Sequence, residues 1–285
     1  MTVAFVLSGG GSLGAVQVGM LRALTEAGIV ADLLVGTSAG ALNAAFVAVH
    51  GTDPTALDTL ERQWIRTRRR DVFPVAPRHQ LRALIGTAPS LFSNDRLRHI
   101  VERHLAGVRL EDTAIPLRIV TADLLSGQEV VLDSGDAVSA ILASAAIPGL
   151  FPSVAHQGYH ALVDGGLADN TAVSVAVAAG ADHVIVLPTG YPCALTTTPR
   201  SAVGISLQAL NILIQQRLIA DMARMRERAH IATLPPLCPL SVSPLDFGKA
   251  AELIEHSYRD STHWIAQGGL DLGRPEQYLS LHHHA

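Results

Sequence analysis

Leu33-Leu34-Val35-Gly36-Thr37-Ser38-Ala39-Gly40 is the stretch on which the fold turns. An apolar, strand-like run enters a Gly-x-Ser-x-Gly turn. An alanine-rich helical pattern, Ala41-Leu42-Asn43-Ala44-Ala45-Phe46-Val47-Ala48-Val49, leaves it. A strand that turns so sharply into a helix holds its central residue in a strained conformation. Gly36 and Gly40 flank that residue because side chains there would collide with the neighbouring strand and helix. The turn leaves the Ser38 hydroxyl at a helix N-terminus, where free N–H groups and the helix dipole favour developing negative charge. Such a motif also arises by chance, so the rest of the chain has to decide whether Ser38 is a nucleophile.

Upstream, residues 3–8 read as a buried strand, and Gly9-Gly10-Gly11-Ser12-Leu13-Gly14 follows it. A helix is expected from Ala15 to Ala27, with Val16, Met20, Leu21 and Leu24 on one face and Gly28 closing it. The first fifty residues are thus β-loop-α-β-turn-α, the opening of a parallel sheet covered by helices. Right-handed crossovers bring the glycine loop and Ser38 to the same C-terminal edge of that sheet.

Downstream the pattern loosens between residues 53 and 110. Pro54 starts a helix carrying Leu57, Leu60, Trp64 and Ile65, and a helix capped by Ser93 or Asn94 runs through His104. This region is expected to form a cap over the sheet edge. The basic run Arg66–Arg70 reads as a solvated helix end, with contact to anionic head groups as the alternative. Strands are expected over 115–123 and 128–132 as a hairpin, then a helix over 136–146. A short strand, His160–Val163, enters Asp164-Gly165-Gly166. A helix (172–179), a strand (183–187) and a Pro/Thr-rich loop (188–202) follow. A long helix over 204–232 carries Leu207, Leu210, Ile214, Leu218, Met222 and Met225 at helical spacing, and a last helix spans 249–266. The expectation is one three-layer α/β/α domain over residues 1–281 with a mostly parallel central sheet.

Composition agrees with a globular protein. Of 285 residues 48% are hydrophobic and 16% charged, enough for a large core. No run approaches the ~20 apolar residues needed to cross a bilayer. Met1–Ser8 carries no basic leader and reads as a core strand, so a cytoplasmic location is expected. Cys193 and Cys238 lie far apart and suggest neither a disulfide framework nor a zinc site. A net charge of −4 argues against nucleic acid as a partner. His282-His283-His284 within 282–285 resembles a tag remnant.

A serine hydroxyl needs a base, and the oxyanion its attack creates needs preorganised donors. The Gly9–Gly14 loop, with few side chains in the way, can aim backbone N–H groups at one oxygen. Gly9-x-Gly11-x-x-Gly14 also fits a dinucleotide fingerprint with Asp32 as the ribose ligand. That reading is weakened because Asp32 precedes the second strand, which runs directly into the serine turn. Among the 13 histidines none is singled out. His99 and His104 read as surface residues, and His156 or His160 could assist Asp164. Asp164 is the better base: Gly165-Gly166 frees the backbone to bring its carboxylate to the serine. A desolvated aspartate bonded directly to the hydroxyl is basic enough for that work. The competing reading of Asp-Gly-Gly is an ordinary turn.

The glycine loop, the Gly-Thr-Ser-Ala-Gly turn, and Ala143-Ser144-Ala145-Ala146-Ile147-Pro148-Gly149-Leu150-Phe151-Pro152 ahead of Asp164-Gly165-Gly166 together resemble the patatin-like phospholipase family. The resemblance covers residues 3–190. It implies a Ser38–Asp164 dyad without a catalytic histidine, an oxyanion hole in Gly9–Gly14, and hydrolysis of fatty acyl esters of phospholipids or lysophospholipids. It implies no metal or cofactor, and contact with a membrane periphery follows from the substrate class. One position departs from the pattern: Leu13 stands where the family usually carries Arg or Lys. Two other functions stay open on these residues. One is an esterase or thioesterase for soluble acyl chains, suited to the apolar Trp64, Phe73, Leu91 and Phe92. The other is a catalytically weak regulatory protein on the same fold.

Overall fold

The computed structural model describes residues 1–190, 198, 202–238 and 242–271. β1 (Val3–Leu7) leads through a 3-10 turn at Gly11–Ala15 into α1 (Val16–Glu26), and β2 (Leu33–Thr37) runs directly into α2 (Ala39–His50). Four helices follow: α3 (Pro54–Arg66), α4 (Arg69–Val72), α5 (Pro77–Leu84) and α6 (Asp95–Leu105). Then come β3 (Leu117–Asp123), β4 (Glu129–Leu132), α7 (Ala137–Ser144), β5 (Val154–His156) and β6 (Tyr159–Asp164). The described chain closes with α8 (Val173–Ala178), β7 (His183–Leu187), α9 (Ala202–Met225), β8 (His230–Thr233) and α10 (Ala250–Ala266).

One mixed sheet has the order β5-β6-β3-β2-β1-β7-β8, with β4 also pairing β3. The run from β3 to β8 is parallel, and β4, β5 and β6 are antiparallel to their neighbours. Alternate side chains feed two cores, as the pleat requires. Phe5, Leu7 and Leu34 pack beneath the layer of α1, α2, α3, α6, α7 and α10. Ala4, Val6, Leu33 and Val35 pack beneath α8 and α9. Covering both faces explains why these strands read as unbroken apolar runs. The architecture is the three-layer α/β/α expected.

The register around β3 positions the site. Ile119 and Val120 pair with both β2 and β4, so those two strands lie on opposite edges of β3. Thr121 and Ala122 pair with both β4 and β6, so β6 occupies the edge that β2 occupies. β2 ends with Thr37 opposite Val120, and β6 ends with Asp164 opposite Thr121. The two strands therefore meet end to end, from opposite directions, one register step apart.

Two strands are absent from the sequence expectation. The helix expected over 204–232 stops at Met225, and His230–Thr233 pairs in parallel with β7 as an edge strand. Four residues are too few to break a helical period on paper, although Ile231 and Thr233 are β-branched. β5 is shorter still, and its hairpin turns at Gln157-Gly158, both with positive φ. Of the expected stripe on α9, Leu218 and Met222 are buried, while the side chains of Leu207 and Leu210 lie outside the described residues, as do 282–285.

A polar clamp ties α9 to the loop after β6. Arg217 lies 3.5 Å from Glu129, 3.8 Å from Asp169 and 3.4 Å from Asp221. Asp169 is buried, its carbonyl accepts from the Thr37 hydroxyl at 3.2 Å, and its N–H donates to the Gly165 carbonyl. Burial, reinforced by Asp221 and Glu129, pushes its carboxyl up to about 7. The folded state then holds a proton that the unfolded state has released between about pH 4 and 7. Stability should fall as pH rises through that window and level off above it. Thermal melts followed by circular dichroism should show that slope, and Asp169→Asn should flatten it.

Candidate active site

Ser38 sits at φ 53°, ψ −119°, one of two non-glycine residues with positive φ among those described. The turn can be this tight only without flanking side chains. A Cβ on Gly36 would lie 2.6 Å from Cα of Ala41, and one on Gly40 would lie 2.1 Å from the Leu7 carbonyl oxygen. The strain is held by a side chain that sequence reading passed over. The Ser38 N–H donates to Oγ of Ser144 at 2.8 Å, and that hydroxyl donates to the Val120 carbonyl at 2.6 Å. Ser144 is fully buried at the end of α7. A lone serine in the apolar run Ala140–Ala146 was the available signal, because a buried hydroxyl must be hydrogen-bonded.

Asp164, 126 positions from Ser38, accepts a hydrogen bond from its hydroxyl at Oδ2 over 2.7 Å. The Gly166 N–H donates to Oδ1 at 2.8 Å and fixes the carboxylate plane. Gly165 packs where a Cβ would lie 2.3 Å from the Val120 carbonyl oxygen. Burial pushes the Asp164 carboxyl up to about 6, against the opposing pull of the Ser38 and Gly166 hydrogen bonds. The group is thus ionised at neutral pH yet far more basic than an exposed aspartate. Histidine takes no part in this contact. Both ring nitrogens of His156 face Ser139 and Ser134, and His160 is exposed four residues up β6, ~13 Å along an extended strand. His99 is exposed beside Glu102, whereas His104, expected at the surface, is half-buried with its ring edge-on to those of Phe46 and His50.

The glycine loop arrives beside Ser38, and among the described residues two of its six residues, Gly10 and Gly11, keep an N–H without a partner. The Gly9 N–H bonds the Asn170 carbonyl, Ser12 N–H the Pro244 carbonyl, and Leu13 N–H the Gly10 carbonyl. Gly14 is buried against Ala39 and the Trp64 ring. The N–H groups of Gly10 and Gly11 have no partner among the described residues, and neither does that of Ala39 at the start of α2. Gly11 lines the same cavity as Ser38. Leu13 is buried in the main core. Asp32 accepts from the Val3 N–H at the opposite, N-terminal end of β1, which removes the dinucleotide reading.

The loop is braced from behind by polar side chains that sequence reading also missed. Gln17 donates to the Ser8 and Leu187 carbonyls. Asn43 donates to the Gly14 carbonyl and to Gln17, and accepts from the Trp64 indole N–H. The Gly9 carbonyl accepts from Thr189 and Asn170. Gln17 and Asn43 are fully buried in otherwise apolar helix faces, which was the signal for them. From the C-terminal side, Ser12 also donates its hydroxyl to the Ser243 carbonyl at 3.1 Å. The segment 243–247 thereby lies over the loop.

A cavity of about 80 Å³ opens from Ser38 and Gly11, room for about three waters at the ~30 Å³ each takes in the liquid. Trp64, Phe73, Phe151 and Phe247 supply aromatic walls, and Gln63 and Thr67 are polar members of an otherwise apolar lining. Of the four apolar residues expected to face a ligand, Trp64 and Phe73 line the cavity. The Phe92 ring packs 5.4 Å from that of Phe73 and, like Leu91, is not part of the lining.

A family model described as Patatin-like phospholipase matches residues 5–177. The chain is 27% identical over 283 residues to patatin-like phospholipase domain-containing protein 6 of Homo sapiens, covering 90% of this chain and 20% of that protein. It is 31% identical over 174 residues to an uncharacterized NTE family protein of Mycobacterium tuberculosis, covering 61% of this chain and 28% of that protein. The chain thus spans less than a third of the length of either relative. Among solved structures, VipD from Legionella pneumophila aligns with a TM-score of 0.47 at 14% identity, over 94% of this chain and 67% of that one.

The Ser144 brace predicts a specific defect. Ser144→Ala leaves the Ser38 N–H buried without an acceptor, at a cost of about 1–3 kcal/mol. Urea denaturation should register that loss, and fluorophosphonate labelling of Ser38 should slow as the turn relaxes.

Proposed function

The chain belongs to the patatin-like phospholipase family, and from that premise we propose that it is a serine hydrolase of lipid acyl esters. Ser38 acts as nucleophile and Asp164 as its direct base. The observation that carries the reading is the 2.7 Å contact between a strained serine hydroxyl and a buried carboxylate at one end of an apolar cavity. Ser38 Oγ attacks the ester carbonyl carbon as its proton passes to Asp164 Oδ2. The carbonyl oxygen becomes an oxyanion that the Gly10 and Gly11 N–H groups stabilise, with the N-terminus of α2 behind them. Collapse breaks the bond to the leaving alcohol, which takes the proton from Asp164 and leaves Ser38 acylated. Water repeats the sequence: its proton goes to Asp164, the acid departs, and Ser38 Oγ recovers a proton.

The apolar cavity suits a fatty acyl chain and offers a polar head group little, so phospholipids or lysophospholipids are the proposed substrates, with the head group outside. Residues 53–110 act as the cap that completes the cavity through Trp64, Thr67, Phe73 and Leu97.

A fluorophosphonate probe should label the wild type and leave Ser38→Ala unlabelled. Equal labelling of the two would end the proposal. Asp164→Asn should lower kcat/KM by about 10²–10⁴-fold, the ordinary worth of a positioned base. Because the carboxylate is the active form, kcat/KM should fall about tenfold per pH unit below its midpoint of about 6. A midpoint near 4 would mean that the base is a solvated carboxylate instead.

A further inference from the structure

Helix α5 and its approaches form a surface that the acyl-transfer reading does not use. None of the side chains of α5 is buried. Leu81, Leu84 and Ile85, at helical spacing i, i+3, i+4, are 60%, 75% and 66% exposed, and Val75 just before the helix is 78% exposed. Arg78 and Arg82 flank that apolar strip, while His79, Gln80 and Ala83 face the protein and are partly buried. Immediately upstream, Arg66, Arg68, Arg69 and Arg70 are exposed. Residues 66–85 hold these six arginines against one acidic residue, Asp71, in a chain whose net charge is −4. None of the six forms an ion pair among the described residues.

A short helix with an apolar strip bordered by cations is the pattern of an interfacial element: the strip enters the acyl boundary and the arginines reach phosphates. The same stretch reaches the cavity. Thr67, Val72 and Phe73 line it, and they interleave in sequence with the exposed arginines. We propose that residues 66–85 dock this protein on an anionic lipid bilayer, with α5 lying in the plane of the interface. No described helix is long and apolar enough to cross a membrane, so docking is peripheral. Each cation near an anionic surface adds about fivefold to binding, and a short apolar strip adds the remainder.

Co-sedimentation of the Ser38→Ala chain with vesicles tests this without turnover of the lipid. Vesicles of phosphatidylcholine mixed with phosphatidylglycerol should bind at least about tenfold better than phosphatidylcholine alone, and high salt should erase most of the difference. Leu81→Glu/Leu84→Glu and Arg78→Gln/Arg82→Gln should each weaken binding about tenfold or more while the folded spectrum stays intact. Their hydrolysis of a short soluble ester should be unchanged. Equal binding to both vesicles, or binding unmoved by both double variants, overturns the proposal. So does a dimer by analytical ultracentrifugation that Leu81→Glu/Leu84→Glu dissolves without any vesicle binding, which would make a second copy the occupant. Binding is read independently of acylation, so a failure here and a failure of the hydrolase reading are distinguishable.

Discussion

The contact between Ser38 and Asp164 exists because two strands end on the same edge of a third. β2 comes from one direction and β6 from the other, and β3 holds their last residues one register step apart. A slip of one residue in either strand would turn its side chains to the opposite face of the sheet. The Val120 carbonyl lies at the junction: it accepts the Ser144 hydroxyl and is approached closely by Gly165. The serine turn and the carboxylate turn are thus braced against one peptide group. Strain at Ser38, which a free chain would relax, is over-determined by its surroundings.

The donor side of the site has a different origin. The Gly9 carbonyl accepts from Thr189 and Asn170 and the Gly10 carbonyl from the Leu13 N–H, while the Gly10 and Gly11 N–H groups have no partner among the described residues. Fixing the carbonyls fixes the amides, since each peptide is planar. Part of this bracing comes from far along the chain. Ser243 and Pro244 bond Ser12, and Phe247 joins the cavity wall, all beyond the span 5–177 that the family model matches.

What was legible in the sequence is what local chemistry dictates. The glycines around Ser38 announce a turn that no other residues tolerate, and the first parallel strands announce themselves by covered faces. Asp164 was legible through Gly165-Gly166 and the motif before it. Less legible were features set by tertiary partners. β8 is a strand because β7 offers an open edge, and its four residues carry no period of their own. Ser144, Gln17 and Asn43 look like minor interruptions of apolar helices until their buried partners are seen. The glycine loop read as a source of donors over all of Gly9–Gly14, because sequence does not say which amides are already bonded. Exposure of α5 was equally invisible: Leu81, Leu84 and Ile85 would serve a core helix just as well.

Charge is distributed consistently with a buried carboxylate as base. Only burial raises Asp164, and the influences that lower it are two hydrogen bonds, with no cation among them. A guanidinium or ammonium at close range would stabilise the carboxylate and cancel much of that basicity. At Asp169, where Arg217 does stand nearby, two further carboxylates offset it. Leu13, which stands where the resembled family usually carries Arg or Lys, is buried in the main core, and the neighbouring Ser12 holds the loop by hydrogen bonds to Ser243 and Pro244. The arginines of 66–85 are instead gathered on the surface, where water screens them from Asp164. One chain thereby carries six exposed arginines on its surface and a buried carboxylate, with no cation among its influences, that accepts a proton at about pH 6.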